Sequence, residues 1–119
     1  MEKELFDFVA ERADVLATAD TSKQETKDAA LAWKSAVEGA DDEAVEAATA
    51  TFIDFLEGRP NTVDGVIAFA QGPAVELFGK EAADQILAEQ TARKERGEKY
   101  CDCAACTAAV ELLSKFGRI

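Results

Sequence analysis

The chain has 119 residues and a mass of 12.8 kDa, which is room for one domain. Apolar residues make up 48 % and charged residues 31 %, which suits a folded globular chain and excludes a disordered tail. The formal net charge of −11 argues against a nucleic-acid binder, which needs a basic face, and against an anionic membrane surface.

Ala is frequent, and only 7 Gly and 2 Pro are present. That composition predicts helices, because Ala is the least costly residue to place in one. A first helix is expected over about residues 2–18, where Leu5, Phe6, Val9, Ala13 and Leu16 recur at three- and four-residue spacing. Ser22 followed by Glu25 has the capping-box pattern and predicts a second helix running to about Glu38, with Gly39 as its stop. Asp41 or Asp42 caps a third, whose stripe is Val45, Ala48, Phe52, Phe55 and Leu56; Gly58 and Pro60 end it. Thr62 is the expected cap of a short helix holding Val63, Val66, Ile67 and Ala70, in which Gly65 marks a close helix contact. Pro73 sits in the first turn of another short helix that reaches Phe78, with Gly79 as its close. Residues 80–96 read as a longer helix with Ala83, Ile86, Leu87 and Gln90 facing inward. A last helix begins near Asp102 or a neighbour and runs to about Phe116.

Six or seven helices joined by short turns predict an all-α architecture, a compact antiparallel bundle forming a single domain over 1–119. Phe6, Phe8, Phe52, Phe55, Phe69, Phe78, Phe116 and Trp33 fall mostly on apolar stripes and are expected in the core. Acidic clusters such as Asp41-Asp42-Glu43 read as solvated helix starts favoured by the dipole. The N-terminal stretch is charged and lacks the apolar core of a signal peptide, and no run of 18 apolar residues is present, so a cytoplasmic protein is expected.

Histidine is absent. That removes the commonest general base, the commonest neutral metal ligand and the Ser-His-Asp triad together. Phosphate-loop and dinucleotide glycine patterns are missing too, and no carboxylate pair stands out among 24 acidic residues. A conventional enzyme is the least supported class.

All 3 cysteines lie within six residues, in Cys101-Asp102-Cys103-Ala104-Ala105-Cys106. This cluster opens the last helix. If that helix starts near Cys103, the Cys103 and Cys106 sulfurs share one face, and Cys101 can fold back over the same end. Free N–H groups and partial positive charge at a helix start stabilise thiolates, and Arg93, Lys94, Arg96 and Lys99 lie just upstream. Three thiolates make a partial site for zinc, the simplest occupant, or for another thiophilic metal; an iron–sulfur cluster is a lesser alternative. The fourth ligand must be Asp102, another carboxylate, water, or a sulfur from a second copy of the chain or another protein. A structural role, pinning the last helix to the Tyr100 turn, and a sensory one both fit. A second reading is thiol–disulfide chemistry between Cys103 and Cys106, with Cys101 as a resolving or alternative partner to Cys106, though no βαβ pattern surrounds the pair. A third takes Cys106 as a small buried hydrophobe beside Ala109, Val110 and Leu113, which explains one cysteine and not three. The acidic surface alone also suits a non-catalytic interaction module for a basic partner.

The segment Lys99-Tyr100-Cys101-Asp102-Cys103-Ala104-Ala105-Cys106 resembles the C-terminal signature of a group of small bacterial proteins of about this length. Some members carry the name of the large ATP-driven heat-shock chaperone. Val63–Ala70, Phe78-Gly79, Ala32-Trp33 and Glu4–Val9 are similar to segments of the same proteins. The resemblance implies an all-helical fold and a bacterial source, and it adds no reaction.

Overall fold

A computed structural model describes residues 1–119. The chain is all-α: 73 % of it lies in seven helices, with no strand. They are α1 (Lys3–Thr18), α2 (Gln24–Val37), α3 (Asp42–Leu56), α4 (Val63–Ala70), α5 (Pro73–Phe78), α6 (Lys80–Glu95) and α7 (Ala104–Lys115). No helix is long and apolar enough to cross a membrane. The helices gather in two units, one of Met1–Pro60 with Asp102–Ile119 and one of Asn61–Cys101.

In the first unit α1 packs on α2 and α7, α2 on α3, and α3 on α7. The residues at three- and four-residue spacing supply the contact: Val9, Ala13 and Leu16 from α1, Phe52, Ile53 and Leu56 from α3, Leu112 and Leu113 from α7. Each large aliphatic side chain so buried stabilises the fold by about 1.5–3 kcal/mol. Small residues at Ala13, Ala30, Ala105, Ala108 and Ala109 fill the remaining core positions. Trp33 lies between Phe6 and Phe52, with ring centroids 5.6 and 6.2 Å away. Its Nε1–H donates to Thr49 Oγ1 at 2.9 Å, so the one polar atom of the ring is satisfied inside the core.

In the second unit α6 packs on both α4 and α5. Thr62 caps α4 by accepting the Gly65 N–H at 2.9 Å. Gly65 is not the helix contact its position suggested. A Cβ there would stand 3.1 Å from Thr62 Oγ1, so glycine makes room for the cap itself. Pro73 occupies the first turn of α5, as expected. Gly79, at φ 89°, closes α5 through a bond to the Val75 carbonyl and leads directly into α6, a turn that an L side chain would strain.

Two further expectations are corrected. Helix α2 starts at Gln24 with Lys23 in the cap position and no side-chain cap, so the Ser22/Glu25 capping box does not form. Ser22 lies buried instead, and its hydroxyl has no hydrogen-bond partner. Phe78 is 59 % exposed rather than in the core, because α5 turns Ala74 inward and leaves Val75, Leu77 and Phe78 outward; its one ring neighbour is Phe69.

Candidate metal centre

The approach to the cysteine segment is built from the end of α6. Gly97, at φ 86°, follows the last turn. The Glu98 N–H returns to the Arg93 carbonyl and the Gly97 N–H to the Lys94 carbonyl, which is the pair of bonds that defines a Schellman stop. From there residues 98–101 run extended beside residues 61–63. Val63 N–H donates to the Lys99 carbonyl at 2.8 Å, and Cys101 N–H donates to the Asn61 carbonyl at 2.7 Å. Thr62 and Tyr100 face each other as a single antiparallel bridge between these bonds.

The exit is the start of α7. Its cap is Cys103, in extended conformation, whose Sγ accepts the Cys106 N–H at 3.4 Å. The Cys103 carbonyl takes the Thr107 N–H at 2.9 Å. Thr21 Oγ1 accepts the Ala105 N–H at 3.2 Å. Two of the donors that a helix start leaves without intrahelical partners are thus met by side chains, one of them a sulfur.

Between entry and exit the three sulfurs converge. Cys101, Cys103 and Cys106 Sγ all lie within 4.8 Å of one another, the first two half-buried and the third buried. No disulfide joins them. The group is local to six residues of chain. Asp102, also a candidate ligand, is exposed and does not belong to it. It borders a surface recess of about 530 Å³ shared with Arg12, Thr107 and Glu111.

Three of the four upstream bases have partners of their own. Lys94 pairs with Asp64 at 2.7 Å and Arg96 with Glu98 at 2.9 Å. Arg93, on the inner face of α6, reaches Gln90, Glu98 and the Tyr100 carbonyl. Desolvation pushes the Glu98 carboxyl up, but hydrogen bonds from Arg96 and Arg93, with their charges, outweigh it and leave the group below its ordinary value. Spacing did not reveal Thr21, which meets the start of α7, or Asn61 and Arg93, which meet the segment ending in Cys101. Thr21 meets Ala105 from 84 residues away, and only the upstream charge hinted at Arg93.

Comparison with protein-family models, with curated proteins and with solved structures finds no match to this chain.

Proposed function

We propose that this chain is a metal-binding protein that holds one ion, most simply zinc, through the thiolates of Cys101, Cys103 and Cys106. The observation that carries the reading is the convergence of three sulfurs within 4.8 Å of one another. A tetrahedral zinc with bonds of about 2.3 Å sets its sulfurs about 3.8 Å apart, so closing on the ion asks for a movement of about 1 Å. Side-chain torsions supply that without moving a helix. The Cys106 N–H bond to Cys103 Sγ supports the reading as well, since bonds from backbone N–H groups favour negative charge on sulfur. The fourth position falls to Asp102, another carboxylate, water or a sulfur from a second chain. The role is structural, fixing the segment 101–106 at the mouth of α7, or sensory.

Metal analysis of protein purified without added metal, alongside a thiol count, tests this. About one metal per chain or per two chains, with thiols shielded from alkylation until a chelator is added, is the expected result. Three freely reactive thiols and no metal would overturn it. The same proximity supports a thiol–disulfide protein as the second reading, with Cys103 and Cys106 as the pair. It predicts a metal-free chain that loses two thiols reversibly under mild oxidant.

A further inference from the structure

We infer that Arg93 is the positioning residue of the sulfur group, acting through the peptide bond that precedes Cys101. The inference rests on the metal reading above. Arg93 is a basic side chain with only 8 % exposure, on a helix whose neighbouring bases Lys94 and Arg96 are exposed. A buried cation demands partners, and the partners it finds decide what it does. One nitrogen, Nη1, donates to Gln90 Oε1 at 3.1 Å, within α6. The other, Nη2, donates to Glu98 Oε1 at 3.3 Å and to the Tyr100 carbonyl at 2.8 Å. The planar guanidinium therefore ties its own helix to the extended segment that ends in Cys101.

The Tyr100 carbonyl and the Cys101 N–H belong to one peptide plane. Arg93 holds the carbonyl edge of that plane. The Asn61 carbonyl holds the N–H edge, at 2.7 Å. A rigid plane gripped at both edges has no rotation left about the chain axis, and the Cα of Cys101 is its next atom. Cys103 and Cys106 are placed by the geometry of the α7 start. Cys101 lies outside any helix, and its place is set by this grip. Without Arg93 the carbonyl edge of that plane loses this bond, the plane is held less firmly, and the Cys101 sulfur is placed less tightly.

The test is a mutant cycle on the full chain, read by competition for Zn(II) against a chromophoric chelator and by the thiolate-to-metal band of the Co(II)-loaded protein. Arg93→Gln is expected to weaken Zn(II) binding by about 10–100-fold, the range seen when a residue that orients a ligand is lost. Its Co(II) spectrum is expected to lose the contribution of one thiolate. Arg93→Lys keeps the charge but not the fork and should fall between the two. In a Cys101→Ser background Arg93→Gln should change affinity less than twofold, because the residue it acts through is gone. Arg118→Gln, which cuts a guanidinium away from Asp54 and Glu57, should leave binding unchanged. Equal affinity and an unchanged spectrum for Arg93→Gln would overturn the inference and leave the metal reading standing. So would an Arg93→Gln loss that persists undiminished in the Cys101→Ser background, since the effect would then lie in the fold. A wild-type chain that takes up neither ion would sink the metal reading itself. If Arg93→Gln does not fold by circular dichroism, the cycle is run with Arg93→Lys and decided by the same comparison.

Discussion

The bond between Trp33 and Thr49 gives the sharpest test of how the first helical unit holds its core. Thr49 is 1 % exposed and Trp33 3 %. The indole N–H donates to Thr49 Oγ1 at 2.9 Å, and the same hydroxyl donates to the Val45 carbonyl at 2.8 Å. Thr49→Val keeps the shape and replaces that acceptor by a methyl group. The buried indole N–H then carries its desolvation penalty uncompensated, about 1–3 kcal/mol. Thr49→Ser keeps the acceptor and removes a methyl instead, which costs about 1 kcal/mol by the scale of single-methyl deletions. Valine should therefore be the more damaging change, although it is the better hydrophobe. Urea unfolding followed by tryptophan fluorescence reads this directly, because Trp33 is the chain's one tryptophan and reports on this unit. A loss of about 2 kcal/mol over a slope of about 2 kcal/mol per molar lowers the midpoint by about 1 M. A Thr49→Val midpoint equal to or above that of Thr49→Ser would refute the account and show that the hydroxyl is dispensable.

Two further outcomes are expected. Compared metal-free, Cys103→Ser leaves an acceptor for the Cys106 N–H and so keeps the helix content and melting temperature, whereas Cys103→Ala loses the cap and melts lower by the equivalent of about 1 kcal/mol, and both lose metal retention; circular dichroism with metal analysis separates the two roles. The Glu98 carboxyl is held below its ordinary value despite desolvation, by Arg96 and Arg93. The fold thus favours its ionised form, so that contribution is complete above the unfolded value of about 4.3 and fades as pH falls through the lowered folded value. The protection of the amides of residues 98–101, taken relative to their intrinsic exchange rates, should fall over that acid range in the wild type, and Glu98→Gln should show a flatter pH dependence.

Much of the architecture is legible in the sequence because it is decided locally. The three- and four-residue spacing of Val9, Ala13 and Leu16 marks α1, and the caps at Asp41 and Thr62 form as their residue types suggest. What escapes the sequence is decided by distant partners. Ser22 has the right type and spacing for a cap, yet it lies buried one residue before the cap position, which Lys23 takes. Thr21 caps a helix 84 residues away, and no window of sequence contains both ends of that bond. Phe78 belongs to a stripe too short to have two faces, so the six residues of α5 cannot say which side is covered. Arg93 stands among three other bases and is distinguished from them only by being inside.

The cysteines themselves weigh unequally. Cys106 is buried on α7 among Ala105, Ala109 and Leu113, where a small apolar side chain needs no further reason. Cys103 is different. A helix cap is best made by Ser, Thr, Asp or Asn, whose oxygens accept N–H bonds well. Here a sulfur does it at 3.4 Å, a longer and weaker bond. A chain that needed only a cap at 103 would be better served by serine, so the sulfur there answers some other demand. Cys101 sharpens the point: half-buried and outside any helix, it contributes nothing to a core that alanine would not, yet its peptide is held from both sides by Arg93 and Asn61. Packing accounts for Cys106 and in part for Cys103, which lies against the core, but not for Cys101. The shared ion proposed above would account for all three and for the clamp on the peptide before the first of them.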